Sequence, residues 1–252
     1  MAFDNKKWAY FIPNTFTAMN MGCGFIAILQ GFHGEFYKAC MFIVLAAIFD
    51  SVDGRVARMT NTQSSFGEQF DSLSDLVSFG VSPALVYYFR FLSDSGRPGM
   101  VATFFFMLCG GLRLARFNAN IDKNKSDYFQ GLPIPSGALA AIGLILVSLN
   151  IPELVAYKPL TLGYLLFYAA LMVSNVPFPS FKNSEWVRKH KKQVLMVIFL
   201  IIASLFLYEE VMIPALLSVY VTASILYWLT HRKKFEGIFD WSEEEPEFDA
   251  VK

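Results

Sequence analysis

The chain has 252 residues, 55% of them hydrophobic and 17% charged, with 26 phenylalanines and a formal net charge of zero. A mean hydropathy of +0.43 excludes an ordinary soluble domain, and the neutral balance of charge points to no nucleic-acid partner. Apolar runs of bilayer length recur, which predicts an all-α, polytopic membrane protein.

Eight membrane spans are predicted, near residues 13–31, 36–59, 66–92, 99–118, 135–150, 160–177, 193–208 and 211–230. At about 20 residues per crossing they account for most of the chain. The first follows Lys6 and Lys7, and Pro13-Asn14 breaks its apolar run early with no small-residue cleavage site. It reads as a retained helix, not a cleaved signal. A basic stretch, Lys182 to Lys192, precedes the last two spans, which look like an addition to a six-helix unit. Residues 1–180 are thus read as the core, and 181–252 as two additional helices and an acidic tail, Glu243-Glu244-Glu245-Pro246-Glu247. No internal repeat is visible, which weighs against the repeated architecture of many transporters. Cys23, Cys40 and Cys109 lie in apolar segments without metal-ligand spacing and read as buried reduced thiols.

Lys and Arg set the predicted orientation. A cytoplasmic N-terminus puts 17 of the 21 Lys and Arg residues on the cytoplasmic side. Lys38, Arg90, Arg97 and Lys158 fall on the other side, with Glu35, Glu153, Glu209 and Glu210. Both termini are then cytoplasmic, as an even number of spans requires.

The second and third spans carry the chemistry. Asp50 and Asp53 are three residues apart, Asp71 and Asp75 four apart, so each pair lies on one helical face. One charged Asp at the centre of a membrane helix costs on the order of 2.5–3.5 kcal/mol, and four need compensation. A tight turn between the helices would bring both pairs together as an oxygen-rich nest for hard divalent cations. Two such ions about 4 Å apart can clamp an in-line displacement at phosphorus. Gly54, Ala57 and Gly67 would let a nucleotide or a facing helix approach closely, and Arg58 is two turns from Asp50, suited to phosphate or to excess carboxylate. Arg55 points elsewhere and reads as a topology anchor. The same residues are compatible with a buried ion-pair network or with a proton or cation pathway, and periodicity alone leaves all three readings open.

The run Asp-x2-Asp-Gly-x2-Ala-Arg-x8-Gly-x3-Asp-x3-Asp, complete at all eight fixed positions over residues 50–75, resembles the signature of the CDP-alcohol phosphotransferases. The resemblance implies a six-helix membrane core over roughly residues 10–180, a homodimer, and two Mg²⁺ or Mn²⁺ ions. It implies that Asp50, Asp53 and Asp71 are metal ligands, and that Asp75 is both ligand and general base. It also implies that Gly54, Ala57, Arg58 and Gly67, with Asp50, receive the CDP moiety. Pro13-Asn14-x2-Thr17-x2-Asn20, Phe79 to Ala84, Arg113-Leu-Ala-Arg116-Phe117-Asn118 and Gly131 to Pro135 are similar to the bacterial and archaeal phosphatidylserine synthase branch, as are eight spans.

That branch implies transfer of a phosphatidyl group from CDP-diacylglycerol to L-serine in a cytoplasmic membrane. Asn14 and Thr17 would meet the nucleotide or cap the first helix. Arg113 and Arg116 would hold serine's carboxylate or the lipid phosphates, with Asn118 assisting, or else serve as positive-inside anchors. Gly131 to Pro135 would shape the site or simply break the chain before a helix. His33, on the far side, is expected to take no part. The competing functions are a sibling transferase using glycerol phosphate, inositol phosphate or another alcohol, and an ion transporter.

Overall fold

The computed structural model describes residues 5–60, 62–120, 128–179 and 208–235, with side chains from residue 12 onward in the first helix. The basic stretch, the acidic tail and the predicted span at 193–208, Tyr208 apart, lie outside the described residues.

Helix α1 (Asn5–Phe32) folds back onto α2 (Phe36–Met59) through Gly34, whose φ of 78° is open to glycine at little cost. The face of α1 turned inward carries Pro13, Thr17, Asn20, Gly24, Ala27 and Gly31, spaced by three or four residues as a packed helical stripe requires. The third rod runs from Ser65 to Leu92 in four joined pieces. These are α3 (Ser65–Asp75), a π-helical turn (Leu76–Val81), α4 (Ser82–Tyr87) and a second π turn (Tyr88–Leu92). Its small residues meet the small residues of α1. A Cβ on Gly24 would lie 2.6 Å from Ser78 Oγ, and one on Gly31 would lie 3.0 Å from Val86 Cγ2.

Then follow α5 (Gly96–Ala119), β1 (Tyr128–Gln130), α6 (Ile134–Asn150), a 3₁₀ turn (Pro152–Ala156), α7 (Lys158–Val173), β2 (Pro177–Pro179), α8 (Glu209–Thr230) and a short α9 (Arg232–Phe235). Helix α6 is the centre. Ala138, Ala140, Ala141, Ile142, Ile145 and Leu146 are buried around its circumference, and it touches α2, α4, α5, α7 and α8. A helix apolar all round belongs inside a bundle. Helix α8 presses Pro214 against Gly143, where a Cβ would come within 3.2 Å.

One element departs from the all-helical expectation: β1 and β2 pair antiparallel, with Phe129 opposite Phe178. The described pairing is three residues a side, and Pro177 and Pro179 in β2 have no N–H to contribute to it.

Among the described residues three helices are long and apolar enough to cross a membrane: Ile12–Phe32, Gly96–Ala119 and Glu210–Thr230. Ile134–Asn150 and Lys158–Val173 are apolar but shorter. Helix α2, whose last turns carry Asp50, Asp53, Arg55 and Arg58, is not among them. The outer faces expose Phe25, Phe104, Phe105, Val219 and Leu226, the surface of a membrane protein and not of one solvated by water.

Candidate active site

The link between α2 and α3 is short, and the helix ends on either side of it are capped. Thr60 caps α2 by donating its hydroxyl to Val56 O at 2.8 Å, and Ser64 caps α3 by accepting from the Gly67 amide at 3.1 Å. The turn brings the acidic faces of the two helices together. One carboxylate oxygen each from Asp50, Asp53 and Asp71 lie within 4.8 Å of one another. The Asp75 carboxyl lies beside that of Asp50 and accepts a hydrogen bond from Asn20 Nδ2 at 3.3 Å. Asp53, 4% exposed, accepts from the Thr17 hydroxyl at 2.9 Å, and Asp71 Oδ1 is buried without a partner.

No cation balances this cluster among the described residues, where the ion pairs are Lys38–Glu35 and Lys158–Asp94. A buried ion-pair network is therefore not what the four aspartates make there. Around them, Gly67 is where α3 meets α1: a Cβ would lie 3.6 Å from Asn14 Oδ1. At Gly54 a Cβ would find the Arg58 guanidinium at 4.0 Å, so that side chain folds back along α2 toward the acidic face. His33 sits exposed at the opposite end of α2, with 16 residues of chain between it and Asp50 and α2 rising about 1.5 Å per residue.

Arg113 and Arg116 leave the same helix three residues apart and meet different surroundings. Arg116 donates to four carbonyls: Val173 O at 3.0 Å, Gln130 O at 3.1 Å, and Met172 O and Ser174 O at 3.3 Å. It thereby satisfies the open C-terminal end of α7 and ties it to β1. Gly131 completes that knot with φ 73°, where a Cβ would lie 2.4 Å from Met172 O and 3.0 Å from Arg116 Nη2. Arg113 is 8% exposed, with its guanidinium over Phe117 at 5.4 Å and Phe129 at 6.0 Å. It makes no hydrogen bond or ion pair among the described residues, and it lines a small cavity with Phe117, Asn120, Phe129 and Gln130. Asn118 Nδ2 donates to Ser72 Oγ at 2.8 Å, joining the end of α5 to α3 beside Asp71.

The profile of the CDP-alcohol phosphatidyltransferase family matches residues 10–176. The chain belongs to this family. It is 36% identical over 221 residues to the CDP-diacylglycerol–serine O-phosphatidyltransferase of Helicobacter pylori strain J99, covering 87% of this chain and 92% of that protein. It is 37% identical over 178 residues to the enzyme of the same name from Methanocaldococcus jannaschii, covering 70% and 77%. It is also 35% identical over 186 residues to the archaetidylserine synthase of Methanothermobacter thermautotrophicus, covering 70% and 73%.

As a CDP-alcohol phosphatidyltransferase the chain is an enzyme, and its acidic cluster fits a divalent cation. Oxygens held about 2.0–2.6 Å from one ion lie at most about 4–5 Å apart, the spread that Asp50, Asp53 and Asp71 display. The Asp71 oxygen without a partner among the described residues is free to serve as a ligand atom. Three features escape the sequence reading. Asn20 touches Asp75, a π turn begins directly after Asp75, and Phe129 forms one wall of the Arg113 cavity. Asn20 stands at motif spacing behind Asn14 and Thr17, which is the signal that could have found it.

Proposed function

We propose that the chain is a phosphatidylserine synthase, which transfers the phosphatidyl group of CDP-diacylglycerol to L-serine and releases CMP. The observation that carries this is the convergence of Asp50, Asp53 and Asp71, with Asp75 alongside, from a complete family signature. Serine as acceptor is supported by the relatives, whose names share serine while differing in the lipid.

Asp50, Asp53, Asp71 and Asp75 would hold two Mg²⁺ or Mn²⁺ ions, which supply Lewis-acid neutralisation of the pyrophosphate and of the departing CMP. Asn14, Thr17, Gly54, Ala57, Arg58 and Gly67 surround the CDP moiety, the small residues admitting it and Arg58 facing its phosphates. Asp75 takes the proton from serine's hydroxyl. The serine oxygen attacks the phosphorus that bears the diacylglycerol, a new P–O bond forms, and the P–O bond to CMP breaks. No covalent enzyme intermediate is needed. Arg113, buried and without an ion pair among the described residues, receives serine's carboxylate, while Arg116 and Asn118 hold the framework around it.

The proposal extends to the membrane arrangement. Eight spans with a six-helix catalytic core over residues 1–180, two added helices over 181–252, cytoplasmic termini and a homodimer in a bacterial or archaeal cytoplasmic membrane agree with the Lys and Arg distribution and with a family profile that ends at residue 176.

CMP release by the detergent-purified protein tests the reaction, with CDP-diacylglycerol, a panel of alcohols, and Mg²⁺, Mn²⁺ or EDTA. Release that needs serine and metal is the expected result. Release that needs another alcohol would move the chain to a sibling activity, and ion flux without CMP release would make it a transporter.

A further inference from the structure

We infer that Asn20 is a positioning residue for Asp75: it fixes one oxygen of that carboxylate so that the other is presented to the acceptor hydroxyl. The inference rests on the reading of Asp75 as the base.

Asn20 is fully buried, and its Nδ2 donates to Asp75 Oδ1 at 3.3 Å. Two tight, buried hydrogen bonds bracket that contact along the same helix pair. Ser74 Oγ donates to Thr17 O at 2.9 Å on one side, and Ser78 Oγ donates to Asn20 O at 2.9 Å on the other. Gly24 lets the chains close just beyond, since any Cβ there would strike Ser78. Helix α1 is therefore locked in register against the residues that flank Asp75, and the Asn20 amide has one direction in which to donate. The contact falls where α3 gives way to the π turn, whose extra residue per turn re-aims the side chains that follow. Asn20 Oδ1 is buried with no partner, so the amide contributes nothing else to the packing that an apolar side chain of equal size could not. Thr17, one turn earlier, makes the corresponding contact with Asp53. One helix thus orients two carboxylates of different duty, one that only binds metal and one that also moves a proton.

Asn20→Leu and Asn20→Asp, both close to the native size, are compared with wild type and with Thr17→Val as full-length purified enzymes. The measurements are kcat, the serine KM, the half-saturating Mn²⁺ concentration and the thermal midpoint. Both Asn20 variants are expected to lose about 10–100-fold in kcat at saturating Mn²⁺, with serine KM within about twofold of wild type. Thr17→Val should instead raise the Mn²⁺ requirement. Unchanged kcat in either folded Asn20 variant overturns the inference. So does a loss confined to serine KM or to Mn²⁺ affinity, or failure of both variants to fold, which would make Asn20 structural. Wild type that uses another alcohol, or Asp75→Asn that keeps near-normal turnover, counts against the proposed function itself. The Asn20 comparison is read separately, with whichever alcohol the wild type accepts.

Discussion

The two ends of the bundle treat their charged side chains in opposite ways. At the end away from the aspartates, Arg90 and Lys158 have partners. Arg90 donates to Ser148 Oγ at 2.9 Å and Ser148 O at 2.8 Å and lies over the Phe36 ring, and Lys158 donates to Phe91 O at 2.7 Å and Asp94 at 3.1 Å. At the other end, among the described residues, the four aspartates form no ion pair, and Arg113, within electrostatic reach of Asp75, is buried with no salt bridge or hydrogen bond. These groups have opposite signs and attract one another, yet they do not close into an ion pair. Holding them apart costs stability, and such separation is the mark of a site that waits for a ligand of each charge.

The largest test of that contrast is Asp75→Asn. Loss of a general base should lower kcat by about 10²–10⁴-fold, read as CMP release. The thermal midpoint in EDTA should stay level or rise, because one of four crowded like charges is gone. Asp71→Asn should remove the metal linkage. Wild type gains about 2.7 kcal/mol when Mg²⁺ or Mn²⁺ reaches one hundred times its Kd, and the variant's midpoint should no longer follow the metal at that concentration.

Next in size is a matched pair of arginines. Arg113→Met keeps reach and removes charge, and should raise serine KM by about 10–100-fold, the worth of one hydrogen bond to a charged group at about 1.5–3 kcal/mol. Arg90→Met removes the two hydrogen bonds to Ser148 at the other end, and should lower the thermal midpoint while leaving kcat and KM alone. If both variants changed only stability, Arg113 would be one more structural cation and the contrast between the ends would fail.

The same arginines show what the sequence could convey. Spacing alone put Asp50, Asp53, Asp71 and Asp75 on facing helical surfaces, and the structure brings them together, because local periodicity and one short turn are enough. Arg113 and Arg116 are likewise close in sequence, three residues apart on α5, and there spacing is insufficient. What separates them is the arrival of α7's C-terminal carbonyls and of Gln130, more than 50 residues and 14 residues from Arg116 respectively. The β1–β2 pair is three residues a side with prolines in one strand, too little pattern to read. The π turn after Asp75 has no local signature either. It reflects how the third rod settles against α1, and that depends on Gly24, whose importance appears only once Ser78 is opposite.

The smallest expected effect is at the exposed Lys158–Asp94 pair, where the side chains are 31% and 73% accessible. The Ser93 hydroxyl and Lys158, both bonded to Asp94, hold its carboxyl below the ordinary value of 3.8. A carboxyl lowered by folding adds stability above its unfolded value and loses it as pH falls through the folded one. Asp94→Asn should therefore lower the thermal midpoint slightly at pH 7, less in high salt, and not at all once the pH is below the folded value. Midpoints of wild type and variant across that range check it. A loss as large as that of Arg90→Met, or one insensitive to salt, would mean that this end of the bundle depends on its surface ion pair. The expectation is instead that its stability comes from the half-buried Arg90 and from the Lys158 bond to Phe91 O, which Asp94→Asn leaves intact.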